Sequence, residues 1–84
     1  MRAAGIRAFG GPVERLDLPP PPDPTADDVL VEVRAAGIGN WDDLVRTGSW
    51  DVGTAPPMAL GVEAAGVVRA IGPTQARFAP GDEV

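Results

Sequence analysis

Apolar and polar residues alternate most clearly between positions 28 and 36 of the chain. One set of alternate residues begins with three valines: Val29, Val31 and Val33. The intervening set consists of Leu30, Glu32 and Arg34. Successive side chains of an extended chain point to opposite faces, so this alternation predicts a β-strand over 28–36.

Weaker alternation over 1–8 and 13–18 predicts two further strands. The sequence Gly-Gly-Pro at positions 10–12 lies between them and can turn the chain back, which predicts an antiparallel hairpin with 1–8 at a sheet edge. The prolines at 19–22 lack backbone donors and predict an extended surface crossover. A ligand for a polyproline-binding module is the alternative interpretation of these prolines.

The pattern changes after Gly37, where a short helix is predicted over 41–47. Asn40 can cap its first turn, and Gly48 can end it. Two acidic residues, Asp42 and Asp43, lie where a helix is electrically positive. The spacing i, i+3 and i+4 gives the helix an apolar face that can pack on a sheet. That face consists of Trp41, Leu44 and Val45.

A second long strand is predicted over 61–71, where an apolar run ends at a Gly-Pro pair. In the tail, Phe78 is a candidate anchor, and a Pro-Gly-Asp turn at 80–82 leads into a new strand at Glu83. Because the sequence stops within that strand, we expect it to be a fragment of a longer protein.

The length and net charge of the chain limit the number of domains and the kinds of partner that it can have. The sequence has 84 residues, enough for one small domain, and its formal net charge is -5. The negative charge disfavours nucleic acid and anionic membranes as partners. There is no apolar run long enough to span a membrane and no signal peptide, so we expect a cytoplasmic protein.

The absence of cysteine and histidine removes several kinds of chemistry. Disulfides, zinc sites built on Cys and His, cysteine nucleophiles and imidazole acid–base catalysis are all excluded within this sequence. A glycine-rich dinucleotide fingerprint is also missing, because the nearest string, which begins at Gly37, lacks its third glycine.

Four segments, taken in order, resemble a known family. They are MRAAGIRAFGGPVERLDLPPPPDPTADDVLVEVRAAGI, NWDDLVRTG, GVEAAGVVRAIG and RFAPGDEV. Together they resemble the N-terminal, GroES-like catalytic domain of the medium-chain dehydrogenase/reductase superfamily, closest to its zinc-free, quinone-oxidoreductase-like branch. The resemblance covers residues 1–84. It implies a mainly β fold, a partly open β-barrel with one short helix, incomplete at its C-terminus.

The resemblance also implies a cofactor and a site. In a complete enzyme a Rossmann domain, absent from this chain, would bind NADP(H) or NAD(H). Zinc-dependent members place a Cys and a His where this sequence has Gly39 and Val62. Neither residue can bind a metal, so no catalytic zinc is expected. No Tyr is available as a proton donor, and the catalytic residue stays unassigned.

Four residues match the family segments that line the cleft for substrate and nicotinamide: Gly39, Asn40, Trp41 and Trp50. Each also has a structural interpretation. Gly39 can permit a turn with positive φ, and Asn40 can cap the helix. Trp41 is favoured as a core anchor over a substrate-stacking residue, and Trp50 fits a pocket wall or a cover for the barrel rim equally well.

Three charged residues are secondary candidates. Asp42 can tune a proton relay, although a helix N-terminal charge is the favoured interpretation. Glu63 stands where zinc enzymes support the metal, and without a metal we expect it to bond backbone or an arginine. Arg46 is a weak candidate for a cofactor phosphate, and it is more simply interpreted as a solvated or paired surface group.

The sequence thus predicts the N-terminal portion of a zinc-independent, NAD(P)H-dependent oxidoreductase. Its substrate would be a small quinone, carbonyl compound or activated alkene, and the chain would form one wall of the cleft. The chain alone is expected to be inactive. The alternative is a catalytically silent GroES-like module that binds a partner subunit.

Overall fold

The chain forms five strands and one helix, and a computed structural model describes all residues from 1 to 84. In chain order the elements are β1 (Arg2–Ile6), β2 (Glu14–Asp17), β3 (Val29–Ala36), α1 (Asn40–Arg46), β4 (Met58–Ala59) and β5 (Ala64–Ile71). The fold is mainly β with one short helix, as the sequence predicts. The helix, with seven residues, is too short to cross a membrane.

The elements divide between two compact units. The first comprises Met1–Pro20 and Gly37–Val62, and the second comprises Pro21–Ala36 and Glu63–Val84. Each unit contains its own antiparallel sheet, of three strands in the first and two in the second.

In the first unit β1 is the central strand of the order β2-β1-β4. The hairpin of β1 and β2 is confirmed, with Ala3 opposite Leu16. The prediction that β1 lies at the edge is wrong, because Met58 pairs with Ile6 on its other side. A strand of two residues that follows Pro-Pro is too short to show alternation. Gly5 permits this pairing, since a Cβ there would overlap the Met58 carbonyl oxygen.

A small buried cluster holds the helix to this sheet. It consists of Ile6, Val45 and Met58, with Leu60 packed against it. Only Val45 of the predicted apolar helix face is buried, and the interpretation of Trp41 as a core anchor is wrong because its side chain is 45% exposed. Because β4 has only two residues, the sheet offers little surface to the helix. Val45 is the one helical side chain that is buried.

The helix begins one residue earlier than predicted. Gly39 is the N-cap residue, and its N–H donates to Oδ2 of Asp42 at 3.1 Å. Asn40 is therefore the first helical residue, and the prediction that it caps the helix is wrong because the Asp42 carboxylate reaches back to the cap. Gly48 ends the helix as predicted, with φ +81° and its N–H bonded to the Val45 carbonyl at 3.1 Å.

The second unit is built on the pairing of β3 with β5, from Val29 opposite Ile71 to Ala36 opposite Ala64. Both predicted strands are confirmed, although β5 begins three residues later than expected. Irregularities after Leu30 and after Val33 break the strict alternation of β3. Between these two points Val31 lies opposite Val68, which is fully buried, and Val33 lies opposite Gly66 and is 55% exposed.

The last residues of the chain add a further pairing to β5. Val84 and Gly66 exchange two hydrogen bonds of 2.9 Å, and Glu83 is paired with Val67. The strand predicted to begin at Glu83 is present only as this isolated pairing with β5 and is not one of the five strands. Phe78 is partly buried before the turn, consistent with its predicted anchoring role.

A cluster of three charged side chains crosses the β3–β5 sheet. Glu32 accepts a hydrogen bond from Arg69 on the paired strand and lies 3.1 Å from Nη2 of Arg34. The bond from Arg69, with the nearby positive charge of Arg34, holds the pKa of Glu32 below its ordinary value of 4.5 despite some desolvation. A lowered pKa in the folded state adds stability above pH 4.5 that is lost as the pH falls through the folded-state pKa.

We predict that Arg69→Gln raises the pKa of Glu32 toward 4.5, because the largest cause of its depression is removed. Titration of the Glu32 side-chain carboxyl by carbon-13 NMR measures this change. Arg77→Gln is the control, since Arg77 lies over the Phe78 ring and pairs with no carboxylate. A Glu32 pKa that is the same in both variants contradicts the prediction.

We also predict that Asp42→Ala lowers the free energy of unfolding by about 1 kcal/mol, because the helix loses its N-terminal acceptor and a favourable charge. Asp42→Asn keeps an acceptor oxygen and loses only the charge, so its effect should be smaller, about 0.5 kcal/mol. Urea unfolding followed by circular dichroism compares the two variants. Equal losses contradict the assignment of the cap to the Asp42 carboxylate.

Candidate functional site

Three of the predicted cleft residues lie together where the first unit's helix begins. Gly39 is partly buried, whereas Asn40 and Trp41 are exposed. The Trp41 indole lies over Gly39: a Cβ on Gly39 would be 2.6 Å from its Nε1 and 2.8 Å from its Cε2. The extended backbone of Gly39, with φ -142°, does not need glycine. Glycine matters here because it leaves the space that the indole occupies.

The polar side chains at the start of α1 differ in whether they form hydrogen bonds within the chain. The Asn40 amide forms no hydrogen bond within the chain and is available to a ligand. Asp42 is committed to the helix cap through Oδ2, while its Oδ1 is the one buried side-chain oxygen without a partner. The structure therefore gives Asp42 the helix-terminal position favoured by the sequence.

Trp50 lies apart from these residues in sequence, on the wall of an open cavity of about 330 Å³. The cavity is lined by Phe9, Gly48, Trp50, Asp51, Val52 and Thr54. The Trp50 side chain is 43% exposed, and its backbone N–H donates to the Leu44 carbonyl at 3.1 Å. Its position is consistent with the interpretation as a pocket wall.

Phe9 was not a candidate from the sequence, yet it shares this cavity with Trp50. The two residues are far apart along the chain, and no local pattern connects them. The available signal was an aromatic residue directly before a Gly-Gly-Pro turn, which leaves its ring at the tip of a hairpin. Only the packing of that hairpin beside the end of α1 brings the two rings to one cavity.

Arg46 is engaged within the chain. Its Nε donates to Asp43 at 2.8 Å, and its Nη1 donates to the carbonyls of Gly10 and Gly11 at 3.1 Å each. The interpretation as an ion-paired arginine is confirmed. These bonds are incompatible with Nη1 and Nε serving as free donors to a phosphate.

Glu63 belongs to the second unit, where it directly precedes β5. It is exposed and forms neither a hydrogen bond nor an ion pair, so the expectation that it bonds backbone or an arginine is wrong. Glu63 is not part of the charged cluster on the β3–β5 sheet. In that cluster Glu32 is the carboxylate that pairs with the two arginines.

The acidic side chains of the chain form no metal-binding cluster. No three acidic, His or Cys side chains come together in a metal-binding arrangement. Gly39 and Val62 bring no donor atom to the positions at which the resemblance would place zinc ligands.

Known proteins are similar to this chain over its whole length. The family profile described as alcohol dehydrogenase GroES-like domain matches residues 25–84. The quinone oxidoreductase of Lama guanicoe is 34% identical over 100% of this chain and 26% of its own length.

Solved structures agree. An NAD-dependent alcohol dehydrogenase shares 44% identity and a TM-score of 0.83, over 99% of this chain and 24% of its own. The Escherichia coli quinone oxidoreductase complexed with NADPH shares 29% identity and a TM-score of 0.83, over 99% of this chain and 26% of its own.

The chain spans about a quarter of the length of the curated relatives that it matches. The profile match covers more than half of the chain. The solved structures are similar to the chain in both sequence and fold. The chain therefore belongs to the alcohol dehydrogenase GroES-like domain family, as an N-terminal domain of the medium-chain dehydrogenase/reductase superfamily.

Proposed function

We propose that this chain is part of a zinc-independent, NAD(P)H-dependent oxidoreductase and forms one wall of its substrate cleft. The observation that carries the proposal is the Trp41 indole over Gly39, in the place where zinc-dependent relatives would carry a metal-binding cysteine. An aromatic ring there replaces a metal ligand with a flat apolar surface. The substrate would be a small quinone, carbonyl compound or activated alkene.

The residues beside Gly39 fit a nicotinamide. The exposed indole of Trp41 offers a face on which a flat ring can lie, and the unbonded amide of Asn40 can both donate to and accept from a carboxamide. These two residues would hold the nicotinamide edge of NADP(H) or NAD(H). When bound, the cofactor supplies the hydride.

The roles of this chain's residues are then binding and shielding. Trp41 and Trp50 place apolar surface beside the substrate and reduce its contact with water, which strengthens the polar interactions that remain. The Asn40 amide is a donor that can orient a carbonyl oxygen. Asp42 fixes the start of the helix and thereby the positions of Asn40 and Trp41. No residue of this chain is proposed as the proton donor.

The names of the relatives support this proposal. They include quinone oxidoreductases and alcohol dehydrogenases, and one of the similar structures is complexed with NADPH. The main dinucleotide site would lie in a Rossmann domain elsewhere in the complete protein. The 84 residues alone contain no glycine-rich phosphate loop, so their isolated activity should be nil.

The test is a steady-state assay of the complete protein, with NADPH and NADH, against 1,4-naphthoquinone, acrolein and a primary alcohol. We predict reduction of the first two compounds and less than one zinc ion per chain by elemental analysis. Asn40→Ala should lower kcat/KM by about tenfold, because one hydrogen bond to the reacting groups is lost. Val13→Ala, at an exposed position of the hairpin, is the control.

Two results would contradict the proposal in different ways. Failure to reduce any carbonyl or quinone with either nucleotide rejects the oxidoreductase function. One zinc ion per chain, together with loss of activity after chelation, rejects zinc independence while leaving the reaction class in place.

A further inference from the structure

The hairpin loop and the end of α1 are fastened to each other by one arginine. Arg46 donates through Nη1 to the carbonyls of Gly10 and Gly11, at 3.1 Å each. In return, the Gly10 N–H donates to the Arg46 carbonyl at 2.8 Å. The Nε bond to Asp43, at 2.8 Å, fixes the direction of the guanidinium. Its side chain is only 27% exposed, so these bonds are partly shielded from water.

The fastened loop carries Phe9, one wall of the cavity that contains Trp50. The ring lies against Gly48, where an added Cβ would be 3.5 Å from its Cγ and Cδ1. Gly48 has φ +81°, a conformation that directs the chain from the helix toward Trp50. Both aromatic walls are therefore positioned from the last turn of the same helix.

The cavity suits a flat molecule with a carbonyl group. Its volume of about 330 Å³ lies at the small end of ligand pockets, which span about 300–1,000 Å³. Phe9, Trp50 and Val52 supply apolar surface, and the Thr54 hydroxyl, unbonded within the chain, can donate to an oxygen. Asp51 accepts the Gly53 N–H at 2.8 Å and is turned into its own loop.

We propose that Arg46 is a positioning residue for this cavity and that Phe9, which lines the same cavity as Trp50, favours substrates that contain a flat ring. The inference rests on the proposed function, because it assigns the cavity to the substrate of that enzyme. A planar guanidinium is needed, since it donates at fixed angles to two carbonyls and one carboxylate, whereas an ammonium cannot maintain all three bonds.

The test compares Arg46→Lys with Arg7→Lys in the complete protein. Arg7 is the matched control: it pairs with Glu14 at 2.8 Å in the same hairpin but does not contact the loop carbonyls. Hydrogen–deuterium exchange of the backbone amides of residues 8–13 measures how firmly the hairpin loop is held, and it does not require enzyme activity. Kinetics with 1,4-naphthoquinone and with acrolein, which has no ring, report substrate preference.

For Arg46→Lys we expect exchange in the loop and KM for 1,4-naphthoquinone each to rise about fivefold, as loss of one net hydrogen bond predicts. The KM for acrolein and both kcat values should change by less than about twofold, because the reacting groups are held elsewhere. Phe9→Leu should raise the KM for 1,4-naphthoquinone in the same way while leaving Arg46 and its bonds in place.

The outcomes separate this inference from the proposed function. If the unmodified protein reduces neither substrate, the proposed function fails, and the assignment of the cavity to its substrate fails with it. If the protein is active but exchange is unaltered in Arg46→Lys, the fastening role is wrong. If exchange rises while both KM values change equally, Arg46 stabilises the hairpin without setting substrate preference, which also overturns the inference.

Discussion

A single hydrogen bond, from the Gly39 N–H to the Asp42 carboxylate, fixes where α1 begins, and the exposed features of the first unit depend on it. Because Asp42 provides the cap, Asn40 enters the helix with its amide unbonded. The next residue, Trp41, then lies where its indole covers Gly39. A helix that started one residue later would instead use the Asn40 side chain as a cap and remove it from the surface.

The other end of the helix has a complementary role. Gly48 turns the chain toward Trp50, and Arg46 fastens the hairpin loop that carries Phe9. A helix of only seven residues therefore positions two separate surfaces, one at each end. Burial of Val45 against Ile6 and Met58 holds it between them. Polar bonds at the helix termini position both surfaces, while the buried cluster beneath the helix is small.

The sequence was sufficient for features that depend on local pattern. Strand β3, the first hairpin and the end of α1 at Gly48 follow from alternation and turn chemistry. Features decided by competition or by distant pairing were missed. Asn40 and Asp42 can both serve the cap, and local pattern does not decide between them. The central position of β1 depends on Met58, whose strand is too short to leave a periodic signal.

The same distinction applies to the candidate site. Gly39 through Trp41 could be grouped from their adjacency, but the exposure of Trp41 depends on how little sheet lies under α1. Phe9 could not be joined to Trp50 without the hairpin's packing. Gly39 has an evolutionary consequence of its own. Because its missing Cβ accommodates the Trp41 indole, a lineage that gained a metal-binding cysteine at position 39 would have to relocate that ring, so positions 39 and 41 should evolve together.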